Sequence, residues 1–312
     1  MARGKQAASE AIEQDPGADV SARWRELVEQ IEAARTQYYV DDAPSLSDAE
    51  YDVLFRELEA LEAAHPELVS QDSPTQSVGG EASGMFTPVE HLQRLLSLDN
   101  AFSLEELDTW AARIERDLGT VPSMLCELKV DGLAVDIVYE RGRMRSLATR
   151  GDGRVGEDVT YNAQFIDAIP KSLTPSKGHP VPDLVEVRGE VYFPTAEFEA
   201  LNAEVLAQGR TPFANARNAG AGTLRQRIDS RQNDLETMRG KRSSTVPRLE
   251  AELGLALQRL ASLRLVVHGV GVWQGHEPSR QSEAYDALRS WGLPTSDRAK
   301  VVDGLAGVRE YV

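Results

Sequence analysis

Near residue 120 the hydrophobic period of this chain changes from that of a helix to that of a strand, so its fold must hold a helical part and a sheet part. Upstream, Trp24, Leu27, Val28 and Ile31 stand at i, i+3, i+4 and i+7, and the stripe runs on to Tyr38. Ser47-Asp48-Ala49-Glu50 has capping-box spacing, and Tyr51, Leu54, Phe55, Leu58 and Leu61 form a second stripe that ends before Pro66. Two antiparallel helices follow from this. Residues 70–96 keep no period and read as an extended linker, after which Ser103 and Glu106 open a helix with Leu107, Trp110, Ile114 and Leu118 inward. From Met124 the period is two: Met124, Cys126, Leu128 and Val130 alternate with Glu127, Lys129 and Asp131, which predicts a strand with the charged trio on one face. Leu133–Tyr139, a turn at Glu140-Arg141-Gly142-Arg143, and Met144–Thr149 continue as a meander. Strands are expected at 184–193 and 263–273, and helices at 195–207 and 282–291. The plan is α+β, with no βαβ alternation.

Charge follows the same division. The net charge is -16, and the first 120 residues, with 9 Lys/Arg against 25 Asp/Glu, hold all of it. Such a segment is a poor binder of nucleic-acid phosphates, so any contacts of that kind belong to the later part, and the step suggests a domain change near 120. Residues 1–19 lack the apolar stretch of a secretory signal and read as a disordered tail in the cytoplasm. No apolar run approaches the roughly 20 residues of a spanning helix, so no membrane is expected. A single cysteine, Cys126, makes neither an internal disulfide nor a four-cysteine zinc site, and the five histidines show no metal-ligand spacing, so no resident metal is expected. Residues 230–262 carry Arg239, Lys241, Arg242 and Arg248 before a stripe of Leu249, Leu253, Leu257 and Leu260, which reads as a surface helical hairpin. Gly220-Ala221-Gly222 reads as loop.

The segment Cys126-Glu127-Leu128-Lys129-Val130-Asp131-Gly132 carries the strongest chemical signal. Lysine attacks only when neutral, so a nucleophile here needs burial or positive neighbours to shed its proton. Taken alone, the same residues also describe a strand end with a surface salt bridge and a turn. Thr149-Arg150-Gly151-Asp152-Gly153 offers an arginine for a phosphate or a ribose, and Glu186, Arg188, Glu190 and Tyr192 share a strand face, with Gly189 leaving room for close approach. Together these segments converge a nucleophile, acids and arginines on one surface.

These three segments resemble motifs of the covalent nucleotidyltransferases, the superfamily of DNA ligases, RNA ligases and mRNA capping enzymes. The segments Tyr38-Tyr39-Val40-Asp41-Asp42-Ala43-Pro44 with Ser47–Asp52, Ser97-Leu98-Asp99-Asn100-Ala101-Phe102 and Phe213-Ala214-Asn215-Ala216-Arg217-Asn218-Ala219 resemble the NAD-dependent bacterial DNA ligases in particular. The resemblance spans about residues 20–312. It implies a helical subdomain over 20–69 for the nicotinamide mononucleotide half of NAD, then a linker and helix over 70–120. An antiparallel, ATP-grasp-like, ligase-type nucleotidyltransferase domain over 121–312 would follow, with 230–262 an insertion.

The resemblance further implies that Lys129 takes AMP from NAD and passes it to the 5′-phosphate of a nick, where the 3′-hydroxyl displaces it. Magnesium would neutralise the phosphates. Glu127, Ser97 and Leu98 resemble adenosine-pocket positions, and Arg150 and Glu190 ribose-side positions. Tyr38, Asp48, Ala49, Glu50, Tyr51 and Asp52 match the segment that holds nicotinamide mononucleotide, and the cationic ring suits aromatic and carboxylate neighbours. Asp48 and Glu50 fit a plain helix cap equally well, and Tyr51 a core position. Arg217 and Arg225 look like phosphate or DNA contacts. The implied protein is a monomeric enzyme of the bacterial cytoplasm acting on nicked duplex DNA in replication and repair. The sequence departs from the family in lacking an Asp-Gly-Val-Val-x-Lys strand, a second lysine-bearing strand and the later DNA-clamping modules. The expectation is therefore an amino-terminal, C-terminally truncated piece that does not seal nicks alone, and a module that holds NAD or nicotinamide mononucleotide without turnover is the alternative.

Overall fold

The computed structural model of the protein describes residues 16–39, 45–70, 73–76, 86–96, 100–275 and 277–312. The chain divides into two compact units, one through Gly80 and one over Glu81–Val312. In the first, α1 (Pro16–Tyr39) and α2 (Asp48–Ala64) pair through the predicted stripes, with Leu27, Ile31 and Leu58 fully buried and Trp24, Val28, Tyr51, Leu54, Phe55 and Leu61 packed on them. The first helix starts at Pro16, inside the span read as a tail, since the first turn needs no N–H from its opening residue. The capping box is present: Ser47 accepts from the Glu50 N–H, and the Glu50 carboxylate accepts from the Ser47 N–H at 2.8 Å. Behind the helices Glu62 is buried and accepts from Trp24 Nε1 at 2.9 Å, Ser73 Oγ at 2.6 Å and Thr75 Oγ1. Burial alone would raise this carboxyl, but the three donors outweigh it and hold Glu62 below the usual range.

The second unit is built on an antiparallel sheet of four strands, β3 (Leu133–Glu140), β4 (Arg143–Thr149), β6 (Leu184–Tyr192) and β7 (Arg264–Trp273), in the order β4-β3-β6-β7. The first two form the predicted hairpin, whose two turn residues Arg141 and Gly142 both have positive φ, as a twisted two-residue turn demands. Register places Val135, Ile137 and Tyr139 opposite Gly189, Val187 and Val185 on the core face. Ala134, Asp136 and Val138 lie opposite Glu190, Arg188 and Glu186 on the other. The core continues into α5 (Thr195–Ala207), α6 (Ala216–Leu224), α7 (Ile228–Gly240), α8 (Val246–Ser262) and α9 (Gln281–Ser290). Trp273 and Trp291 close its far end, with ring centroids 5.0 Å apart and the Trp291 indole N–H donating to the His179 carbonyl.

Several elements depart from the expectations. Gly220-Ala221-Gly222 is not a loop but the middle of α6, where buried small residues pack beside Val191 and Tyr192 and Asn215 caps the N-terminus through the Asn218 N–H. Packing there overrides the low helix propensity of glycine. In α3 (Leu104–Leu118) only Ala111 is buried and Leu118 is 65% exposed, so the predicted inward stripe is only partly covered. Within the span read as a linker, β1 (Pro88–Glu90) pairs with β5 (Val155–Glu157) and so belongs to the second unit. A short β2 (Ser123–Cys126) pairs with β8 (Lys300–Asp303), a strand not anticipated, and α10 (Gly304–Tyr311) follows it. The 230–262 hairpin is α7 and α8, anchored to the core by Leu235, Leu253, Ala256 and Leu260. Among the described residues no helix is long and apolar enough to cross a membrane.

Candidate active site around Lys129

The strand expected through Lys129 ends at Cys126, and residues 127–131 have no regular structure. The cause is close approach. A Cβ on Gly132 would lie 2.5 Å from the Val191 carbonyl oxygen, so the chain slides past β6 without a side chain before entering β3. Glu127, Lys129 and Asp131 therefore share a loop and not a strand face. Glu127 is pulled inward and accepts from Tyr285 Oη of α9 at 2.8 Å; burial raises its carboxyl, and that hydrogen bond opposes the rise. Asp131 is held by Arg217 at the start of α6, 3.3 Å from its Oδ1, and the same guanidinium donates to the Gly132 carbonyl. Lys129 itself is exposed.

The sheet face beside this loop carries Glu190. Burial pushes its carboxyl up to about 7, against the pull of Arg217, Lys129 and Arg150, and its Oε2 is buried without a hydrogen-bond partner. Lys129, Arg150, Arg217 and Glu190 thus interact electrostatically at one place. On β7, His268 joins them: desolvation, then Lys129 and Arg188, hold its imidazole below the usual value. Arg150 follows β4 directly and donates its N–H to the Ala134 carbonyl at 2.9 Å. The turn after it is tight: Gly151 and Gly153 have positive φ, a Cβ on Gly151 would collide with the Val155 carbonyl at 1.8 Å, and Asp152 Oδ1 accepts from the Arg154 and Val155 N–H groups. Arg188 donates to the Gln93 carbonyl at 2.8 Å and stands 3.5 Å from Glu186.

Other expected positions fall elsewhere. Arg225 is turned into the protein in an ion pair with Glu157 at 2.8 Å, their side chains 8% and 4% exposed, so its guanidinium is not presented for a phosphate. In the first unit Glu50 closes the capping box. Tyr51 accepts from Arg35 Nε at 3.0 Å and stacks on Phe55, and Asp52 lies one residue on along α2. Tyr38, Asp48 and Ala49 lie on helical backbone, but their side chains, together with Ser97 and Leu98, fall outside the described residues.

Sequence reasoning missed three groups. Tyr285 lies on the expected 282–291 helix, where nothing in the local pattern marks it. His268 is marked by alternation with Leu265 and Val267, which sends Val266 and His268 to the opposite face of β7. For His91, in the span read as linker, no sequence signal exists. His91 with Asp136 and Glu186 is, among the described residues, a group whose ligand-type atoms lie within 4.8 Å of one another.

Comparison with known families supports the same reading. Residues 83–239 match the family of the NAD-dependent DNA ligase adenylation domain, and residues 17–79 match the DNA ligase-like, N-terminal NAD+-binding domain. The first match alone covers half of the chain and contains the lysine loop, the Arg150 turn, the Glu190 strand and Arg217, so the chain belongs to the NAD-dependent DNA ligases.

Proposed function

We propose that Lys129 is the residue that becomes adenylylated. The observation that carries this reading is the meeting of Lys129, Glu190, Arg150 and Arg217 beside the sheet, in a chain of this family. The Nζ lone pair of Lys129 attacks the AMP phosphorus of NAD and a P–N bond forms. The P–O bond to nicotinamide mononucleotide breaks, its electron pair leaves with that phosphate, and the lysine proton goes to solvent. Arg150 and Arg217 face the anionic phosphates and Glu127 the adenosine side, whereas Arg225 is engaged with Glu157 and takes no part. Glu190 has the orphan carboxylate oxygen that suits a divalent cation or a ribose hydroxyl, and magnesium, when bound, supplies charge neutralisation at the phosphates. Asp48, Tyr51 and Asp52, with Tyr38, Ala49 and Glu50, serve the nicotinamide mononucleotide half. The AMP then passes to the 5′-phosphate of nicked duplex DNA for sealing by the 3′-hydroxyl, in replication and repair in the bacterial cytoplasm.

The test is intact-mass measurement after incubation with NAD and magnesium. The expected gain is one AMP, absent in Lys129→Ala at unchanged fold and absent with a chelator. Labelling that survives Lys129→Ala overturns the assignment, and NAD binding without any gain in mass leaves a module that binds without turnover. Asp52→Ala is expected to slow labelling by NAD at least tenfold with an unchanged melting temperature; a fall in both would make Asp52 a structural residue.

A further inference from the structure

We propose that His91 is a positioning residue of the nucleotide site, holding the Arg150 turn against the sheet from a buried clamp on Asp136. The inference rests on the reading of Arg150 given above and extends it to a residue that touches no substrate.

The geometry is closed on both sides of the ring. His91 Nδ1 is 2.9 Å from Asp136 Oδ2, and Nε2 is 2.9 Å from the Arg150 carbonyl oxygen. The His91 side chain is 0% exposed and Asp136 3%. A carbonyl oxygen only accepts, so Nε2 must carry a proton. A carboxylate only accepts as well, so Nδ1 must carry one too. The ring is an imidazolium. Desolvation disfavours that charge, but the hydrogen bonds to Asp136 and the Arg150 carbonyl, then the charges of Asp136 and Glu186, outweigh it and hold His91 above its usual value. Of the cations beside this face, Arg188 is paired with Glu186 and the Gln93 carbonyl, Arg217 with Asp131, and Lys129 and Arg150 act on Glu190.

The contact joins segments that are far apart in sequence. His91 follows β1, its own N–H donates to the Arg154 carbonyl, and the Leu95 N–H donates to the Gly153 carbonyl. Backbone and side chain therefore grip the 150–154 turn from one direction, and the Ala134 carbonyl grips the Arg150 N–H from the other. Gly156 lets the segments close, since a Cβ there would collide with the Thr149 carbonyl at 1.7 Å and also lie 3.1 Å from His91 Nε2. With its backbone fixed at N–H and carbonyl alike, Arg150 presents its side chain from a set position.

The same three side chains could suggest a cation site, but their charges close without one. Burial and the neighbouring Asp136 raise Glu186, and the imidazolium lies against Asp136 Oδ2 at 2.9 Å. A divalent ion would have to displace the ring proton and sit beside the Arg188 guanidinium.

The experiment uses the whole chain and three readouts. In wild type, nitrogen-edited NMR at pH 7 should show both His91 ring N–H protons protected from water. Asp136→Asn should lose the Nδ1 proton and keep the Nε2 proton, because the asparagine amide can donate to a neutral ring. In His91→Ala, amide exchange over 149–157 should quicken at least tenfold, and the NAD concentration for half-maximal adenylylation should rise at least tenfold with the saturating rate changed less than threefold. The imidazolium charge is present below the folded pKa of His91 and is lost as pH rises through it. Wild type should therefore show a loss of NAD affinity on the alkaline side that Asp136→Asn lacks. A single ring N–H in wild type overturns the clamp, and unchanged exchange and half-saturation in His91→Ala overturn the positioning role. If wild type takes no AMP, the function proposed above fails, while the ring protons and exchange rates still judge the clamp.

Discussion

Glu190 shows how far a single side chain can be held from its ordinary state by its surroundings. Its carboxyl titrates at about 7 against about 4.5 for a free one, because burial disfavours the charge more than Arg217, Lys129 and Arg150 favour it. A carboxyl raised on folding costs stability above its unfolded pKa, and the cost grows until pH passes the folded value. From those two values the penalty is about 3 kcal/mol at pH 8 and under about 1 kcal/mol at pH 5. Glu190→Gln should therefore stabilise the second unit at pH 8 by a few kcal/mol and do little at pH 5, while adenylylation falls. Urea melts at the two pH values check this, and an equal shift at both would show that desolvation of the charge is not the cause. Such a gain in stability with a loss of function is expected where a site keeps a group in an unfavourable state for use.

At the scale of elements, what was legible in the sequence was whatever depends on neighbours along the chain. The Ser47–Glu50 capping box, the Arg141-Gly142 turn, the α1 and α2 stripes and the long strands β6 and β7 all follow from local period and turn chemistry. What escaped depends on remote partners. The strands β1, β5 and β8 have three or four residues each, too few to show alternation, and exist because a distant segment pairs with them. The lysine segment alternates as a strand should, yet Gly132 must pass Val191 at a distance no side chain permits, so the strand stops at Cys126. The site residues Lys129, Arg150, Glu190 and Arg217 lie in recognisable segments, whereas the His91 contacts span 45 and 59 residues and leave no local trace. This gives a test of the close approach. Gly132→Ala should destabilise the second unit by several kcal/mol, more than the roughly 1 kcal/mol of an ordinary glycine substitution. A melt within 1 kcal/mol of wild type would mean that the loop relaxes freely.

Among the described residues the whole molecule shows two hydrophobic cores of very different size. That of the first unit has three fully buried side chains, Leu27, Ile31 and Leu58, and it also buries Glu62. Leu58→Ala should cost about 2–5 kcal/mol there, and scanning calorimetry should show one transition moving while that of the sheet unit stays. The depressed Glu62 gives the same unit a sensitivity to acid. Its three hydrogen bonds contribute stability above the unfolded carboxylate range and lose it as pH falls through the folded value, so the small transition should shift first on acidification. The tryptophans are distributed to match. Trp24 donates its indole N–H to Glu62 in one unit; the other holds Trp110 on α3, with Trp273 and Trp291 facing each other at 5.0 Å and 40°. Indoles that close share their excited states, so the sheet core has a circular-dichroism couplet of its own that vanishes when it opens and to which the separate indoles of Trp24 and Trp110 do not contribute. Light alone can then report when the sheet core has come apart.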